Sequence, residues 1–449
     1  MKRLFQPVEL ASLAVFRFAF GVLMVWEVGR YVSYGWISRY YIQPTYHFTY
    51  PGFSWVQPWP GSGMYWHFGL LAVAAALMAV GLFYRFAAAA FALGISYVFL
   101  IDETQYLNHL YLVCLLAFLM VFIPGGRLWA LDARWGLAPR AQTASRWTLL
   151  LIQCQLALVY LFGGLAKLEP DWLSGAPGAS FLAGWSVTRP LAEQVGFSQL
   201  FAFFGALFDL LIVPLLLWRR TRLPATLAVV GFHLTNMHMF QIGIFPWLML
   251  AATPLFYPPS WPRWVIGKAK RLWFGHPVPA PVLASSSPPA PSVQRAVTSA
   301  LLLWFTVQAL VPLRHWLYPG DANWTEQGHN FSWHMKLRNK DGDLRLFAVD
   351  GGSGQGVELE LERHLTRRQL QKMSTRPHMI VQFARHLGEK MTRDLGRPIQ
   401  IRAYSSVALN GRPYAFMIDP TVDLMTAPPE KYLMPRADAP PAFSLADED

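Results

Sequence analysis

Nine stretches of this chain are apolar over lengths that matter to a lipid bilayer, and no other feature narrows the possible folds as much. They lie near residues 11–29, 64–83, 86–101, 109–124, 148–166, 200–218, 224–239, 240–257 and 296–316. About 20 apolar residues in a helix cross a hydrocarbon core about 30 Å thick, and a helix leaves no peptide group unpaired in lipid. Only 14% of the residues are charged and 54% are hydrophobic, against about 25% charged in soluble domains. The 19 Trp residues suit many crossings, because Trp gathers where membrane meets water. The sequence predicts a polytopic α-helical membrane protein of about nine transmembrane helices. The pair over 224–257 leaves a re-entrant hairpin open as an alternative. The start, "MKRLFQPVELASLAVFRFAFGVLMVW", is charged but lacks a small-residue cleavage site, and reads as a first membrane helix.

Basic residues orient the runs. Lys2 and Arg3 precede the first, and Arg85 separates the second from the third. Arg127, Arg134, Arg140 and Arg146 separate the fourth from the fifth. Arg219, Arg220 and Arg222 follow the sixth, and Arg263, Lys268, Lys270 and Arg271 follow the eighth. With nine crossings all five groups fall on one side, the cytoplasmic side by the positive-inside rule. This accounts for the net charge of +12, so no nucleic-acid partner is expected. The other side receives 30–63, 102–108, 167–199 and everything after about 317.

Composition divides the chain further. Residues 1–276 form a helical membrane domain. A Pro/Ser-rich linker, 277–295, follows, then the last transmembrane helix, 296–317. Residues 318–426 turn polar. Here "DLRLFAV", "GGSGQG" and "VELELE" read as strand, turn and strand, 365–395 as helix, and "IQIRAYSSVAL", "NG", "RPYAFMID" as a second hairpin. This is a small C-terminal extramembrane α+β domain. The acidic, Pro-rich end, 427–449, reads as a disordered tail.

Ionisable groups at membrane depth are costly and are therefore functional candidates. His109, Lys167, His233 and His315 fall at one membrane level on four different helices, where they could converge on one pocket. The plain alternatives are a snorkelling helix-end lysine and histidines that pack or sit at the interface. Lys167 ends the run "LLLIQCQLALVYLFGGLA" and opens "KLEPDW". A lysine desolvated among apolar groups can lose its charge and act as a base. Tyr160 lies two helical turns earlier, on the same face. A neutral amine beside aromatic groups suits a lipid-soluble weak acid such as a hydroquinone, one option among several. His233 and His238 are five apart and diverge on a helix, so no metal is expected. No Gly-rich phosphate loop, HExxH or GxSxG occurs. Cys114 and Cys154 sit in apolar runs and read as small buried hydrophobes, not as a disulfide.

Several segments together resemble the vitamin K-dependent gamma-glutamyl carboxylases. They are "LASLAVFRFAFGVLMVWEV", "GLFYRFAAAAFALGISYVFLIDETQYLNHLYL", "VYLFGGLAKLEPDW", "FHLTNMHMFQIGIFPWLMLAATPLF", "NWTEQGHNFSWHM" and "FMIDPTVDLMTA". They fall in the family's order over about residues 10 to 426. The resemblance implies that Lys167 is the base that deprotonates vitamin K hydroquinone and that His109, preceded by Asn108, is also critical. It implies cofactor-site roles for Tyr160, Asn108 and His233, and substrate-side roles for His315, Trp324, His329, Phe331 and Trp333. By the same resemblance, the quinone anion reacts with O₂, and the oxygenated alkoxide removes a γ-proton from a peptide glutamate. CO₂ adds to the carbanion, giving γ-carboxyglutamate and vitamin K epoxide. The partners implied are a Glu-containing peptide or protein, a quinone of phylloquinone or menaquinone type, and membrane lipids.

The chain departs from the animal enzymes. It ends soon after "DPTVDLMTA", it lacks the cysteines of their lumenal disulfide, and Ala166 stands where they have a second lysine. His329 and Phe331 replace tyrosines of the glutamate-binding segment. The short form and high Ala/Arg content suggest a bacterial homologue, in the inner membrane with the C-terminal domain periplasmic. The changes at 329 and 331 keep open a hydroquinone epoxidase or oxygenase without peptide carboxylation. A non-catalytic membrane protein on the same fold is the third alternative.

Overall fold

The computed structural model describes residues 2–192, 194, 196–240, 242–274, 289–350 and 354–436. All nine apolar runs are helical: α1 (Ala11–Ser33), α2 (Gly63–Val80), α3 (Tyr84–Ile101), α4 (Asn108–Met120), α5 (Trp147–Ala166), α6 (Phe197–Leu217), α7 (Arg222–Phe240), α8 (Phe245–Ala252) and, beyond the amphipathic α9 (Trp261–Phe274), α10 (Pro291–Leu313). Six are long and apolar enough to cross a membrane, namely α1, α2, α3, α5, α6 and α10 with its extension to Leu317. The nine expected crossings thus divide into these six, the short apolar α4 and α8, and the more polar α7.

The hairpin alternative for 224–257 fails on contacts with α1. At one end, a Cβ built at Gly243 would lie 2.9 Å from Arg30 Nη1. At the other, Pro259 O accepts from the Ser12 amide at 3.2 Å. Eighteen helical residues separate Ser12 from Arg30, about 27 Å at 1.5 Å per residue. The segment from Gly243 to Pro259 therefore runs the length of α1.

The basic loops meet at one end of the bundle. Strand β1 (Pro7–Glu9) pairs antiparallel with β2 (Thr143–Ser145). Arg263 pairs with Glu9 at 3.0 Å, and Arg222 lies 5.4 Å over the Tyr257 ring. Arg17, buried within α1, donates to Gly125 O at 2.5 Å and Trp129 O at 2.7 Å. It thus satisfies loop carbonyls that would otherwise be orphaned near lipid. Polar contacts also hold α10: Gln155 bonds Gln308 at 3.3 Å, and Trp304 Nε1 bonds Gln155 at 3.0 Å.

The C-terminal domain covers the opposite end. Its antiparallel sheet has the order β4-β3-β5-β6, with β3 (Lys340–Asp350), β4 (Gly356–Glu358), β5 (Ile399–Leu409) and β6 (Ala415–Ile418). Burial along β5 alternates strictly, so one sheet face packs on α12 (Pro377–Leu395) and the other is left to solvent. The helical stretch is broken between α11 (Arg367–Met373) and α12, where Arg376 is extended before Pro377. The Asn410–Gly411 turn has φ of 52° and 77°, but it does not close a two-residue hairpin, because β6 begins only at Ala415, which pairs with Val407.

Three boundaries move. Strand β4 stops at Glu358, and Leu361–Arg363 turn into a 3-10 helix. Helix α10 begins at Pro291, inside the expected linker; residues 277–288 of that linker lie outside the described residues. The expected tail from 427 overlaps the domain: Leu433 bridges to Ile418, and Trp324 Nε1 donates to Met434 O at 2.8 Å. Residues 437–449 lie outside the described residues. Of the two cysteines, Cys154 is exposed on the bundle surface instead of buried.

Candidate active site

A cavity of about 1240 Å³ runs along the bundle, from Thr221 and Pro224 beside the basic loops to Lys336 and Arg368 of the C-terminal region. Three of the four ionisable candidates reach it: His109, Lys167 and His233. Tyr160 and Asn108 also line it.

Lys167 caps the C-terminus of α5 and is 6% exposed. Its Nζ donates to Asp209 Oδ2 on α6 and lies 5.5 Å from the Trp172 ring. Lys167 thus has a counter-ion. A buried ammonium facing a buried carboxylate is tolerable where either alone is not. Close helix packing makes the pair possible. A Cβ at Gly164 would lie 2.8 Å from Leu210 Cγ and 3.0 Å from the Leu210 backbone N, and one at Gly163 would lie 3.4 Å from Asp209 Oδ2. The Gly-Gly step before Lys167 is what lets α5 and α6 approach.

The rest of "KLEPDW" fixes the lysine from outside. Trp172 Nε1 donates to Ala202 O on α6 at 2.9 Å. Asp171 accepts both Arg412 nitrogens at 2.7 Å and Asn410 Nδ2 at 3.1 Å. Burial lifts the Asp171 carboxyl, but these bonds outweigh it and hold the group below its ordinary value. Glu169 accepts from Asn323 at 2.5 Å. Burial, then the nearby charges of Asp321 and Asp171, push its carboxyl up to about 8.

Two turns before Lys167 on α5, Tyr160 OH lies 2.9 Å from His233 Nε2 on α7. His233 is 1% exposed, and its Nδ1 is buried without a partner among the described residues. Phe245 bridges the histidines, with its ring 5.7 Å from His233 and 6.0 Å from His109. Asn108 accepts from Tyr106 OH at 2.9 Å and donates to His334 O at 3.1 Å, which ties the cavity wall to the C-terminal region.

The model of the HTTM domain matches residues 5–261, more than half of the chain, and that of the vitamin K-dependent gamma-carboxylase lumenal domain matches 293–438. The chain belongs to the gamma-glutamyl carboxylase-type proteins. It is an integral membrane protein. No solved structure matches it.

The residues that the carboxylase resemblance assigned to the substrate side lie elsewhere. His315 does not line the cavity; its Nδ1 is 2.7 Å from Pro312 O and its ring is 4.7 Å from that of His334. The depth of a residue along a helix does not say which way it faces. Trp324 is buried in the C-terminal core. Trp333 is fully buried and stacks on Tyr111 at 5.0 Å. Phe331 packs among Tyr106, Tyr111, Tyr50 and Phe99. His329 belongs to a closed ion cluster. There Glu326 accepts from Arg338 at 2.5 Å and Lys340 at 2.8 Å, and Arg338 Nε lies 3.2 Å from His329 Nε2. Burial raises the Glu326 carboxyl, but the charges of Arg338 and Lys340 hold it far below its ordinary value. Burial and then the charge of Arg338 hold His329 well below its own.

The same segment does reach the cavity, through Met335 and Lys336. Lys336 Nζ lies 4.5 Å from the Phe240 ring. No sequence signal marked these two, because their role depends on a turn with φ of +58° at Lys336. Asp209 was also missed, although an acid within "LFDLLIVPLLL" was a visible signal. Among the described residues no group of three or more His, Cys, Asp or Glu could hold a metal ion.

Proposed function

We propose that this protein converts peptide glutamate to γ-carboxyglutamate with CO₂, coupled to oxidation of vitamin K hydroquinone by O₂ to the 2,3-epoxide. The observation that carries this reading is the buried Lys167 opening, with His109, Tyr160 and His233, on one large cavity. The lining fits a prenylated hydroquinone. Phe204, Phe208, Leu211 and Ile212 supply an apolar wall, and the unpartnered His233 Nδ1 supplies a polar contact for a ring hydroxyl. When bound, the hydroquinone supplies the reducing equivalents and the strong base that glutamate deprotonation requires.

The chain's own residues have three tasks in this reading. Lys167 receives the phenolic proton. His109, packed on Phe245, and the His233–Tyr160 pair orient the ring. The C-terminal domain caps the outer end and limits water at the reacting groups. The basic loops stay cytoplasmic, so the domain is periplasmic in a bacterial cell and the peptide arrives from that side.

The closed setting of His329 favours a second reading, a hydroquinone epoxidase without peptide carboxylation. One experiment separates the two. Purified protein in detergent receives vitamin K hydroquinone, O₂, labelled bicarbonate and a short Glu-containing peptide. Epoxide together with labelled peptide is the expected result. Epoxide alone selects the second reading, and neither product from folded protein removes both.

A further inference from the structure

We propose that Asp209 is half of the initiating base: Lys167 and Asp209 take up the hydroquinone proton as one unit. The inference rests on the proposed function and concerns only how its first step is built.

Geometry restricts the choices. Lys167 and Asp209 both line the cavity, 6% and 4% exposed. Among the described residues, Lys167 is the one hydrogen-bonding partner of Asp209. The other ionic groups on the lining are engaged elsewhere or stand apart from the pair. Glu27 pairs with Arg30 at 2.6 Å, Arg368 bonds Gln105 at 3.0 Å, and Lys336 lies over Phe240. The pair therefore has to hold its protons between its own two members.

Proton counting then assigns Asp209 a role. The resting pair carries zero net charge and one shared proton, either as ammonium and carboxylate or as amine and carboxylic acid. Suppose the pair accepts one proton from the hydroquinone. The phenolic O–H bond breaks, its electron pair stays on the oxygen, and one new N–H or O–H bond forms in the pair. From either starting arrangement the product is the same: an ammonium, a carboxylic acid and a hydroquinone monoanion. No net charge is created in the cavity, and the ammonium is left facing the new anion, which it stabilises. A lysine acting alone must first be a neutral amine, and a carboxylate partner opposes that. Lys167 touches the substrate in this scheme, and Asp209 acts through it as the group that holds the second proton.

The substitution Asp209→Asn separates proton holding from positioning. Asparagine keeps an oxygen to accept from Lys167 but cannot take a proton. For this variant we expect kcat for epoxide formation to fall by about 100-fold or more, with KM for hydroquinone little changed. Under anaerobic conditions the variant should bind hydroquinone yet fail to develop the absorbance of its anion, which wild type develops. Asp209→Glu, which restores a carboxyl group, should recover kcat to within about tenfold of wild type. Asp209→Asn turning over at the wild-type rate, while Lys167→Ala makes no epoxide, would leave the proposed function standing and overturn the shared base. Loss of hydroquinone binding in Asp209→Asn that Asp209→Glu does not restore would reduce Asp209 to a packing role. Wild type without epoxide would remove the proposed function and this inference together.

Discussion

Two of the buried carboxylates, Glu326 and Asp209, differ in their surroundings. Glu326 sits between the bundle and the C-terminal sheet, with Arg338 and Lys340 both bonded to it and His329 beside it. Asp209 sits on a membrane helix with one partner, Lys167, and an open cavity beyond. Burying a carboxylate costs several kcal/mol unless its charge and lone pairs are matched. At Glu326 the matching is in excess and closed, which suits a joint between two layers. At Asp209 it is one for one and open to a ligand. The difference separates a group that holds structure from one that can exchange a proton.

The largest expected effect tests the open pair. Lys167→Ala should abolish epoxide and labelled peptide together, a loss of about 10³-fold or more in kcat if general-base catalysis acts at full strength. Epoxide surviving in this variant would erase the distinction between the two sites. Next comes the closed cluster. Glu326→Gln leaves Arg338 and Lys340 without their counter-charge, and breaking one member of a buried ion set costs about 3–5 kcal/mol. We expect a clear drop in the thermal midpoint, with anaerobic hydroquinone binding unchanged. A stable variant that had lost hydroquinone binding would reverse the assignment.

A smaller effect probes the packing that brings Lys167 to Asp209. Gly164→Ala drives a Cβ against Leu210 Cγ at 2.8 Å and its backbone N at 3.0 Å. Such overpacking costs about 1–3 kcal/mol. Both stability and kcat should fall, and hydrogen exchange of α5 should rise. Taken per pH unit, the smallest effect concerns pH. Burial, then the charges of His315 and Arg338, push the His334 imidazole down from 6.5 to about 3. Between those values the unfolded chain binds the proton and the folded chain does not, so stability rises with pH across that window. As pH falls below about 6.5, this histidine should remove at most about 1.4 kcal/mol per pH unit. His334→Gln should flatten the acid limb of a denaturation series. Glu326 acts in the same direction lower down: its carboxyl is depressed, so its contribution is complete above its ordinary 4.5 and is lost as pH falls further.

Much of the fold was legible along the chain. The nine apolar runs are helices, and the Asn410–Gly411 turn joins β5 to β6. The basic loops meet at one end, as their spacing predicts. Candidate residues on well-defined helices, such as His109, Tyr160, Lys167 and His233, do share a cavity. His315 does not, because the turn of a helix places a residue at a depth without saying which way it faces. Trp324 went to the core of the C-terminal domain, Trp333 and Phe331 to that of the bundle and His329 to the Glu326 cluster, while their neighbours Met335 and Lys336 reached the cavity.

The amino-acid sequence by itself determined which segments must enter lipid, which ends carry positive charge, and that an amine stands at the C-terminal end of the fifth helix. These follow from transfer free energies and local geometry, which act residue by residue. Only the tertiary structure decided that the amine faces Asp209, 42 residues away, and that Glu326 is sealed among cations. Those pairings depend on how closely α5 and α6 pack and on where the C-terminal domain seats, and such contacts are fixed by the whole core at once.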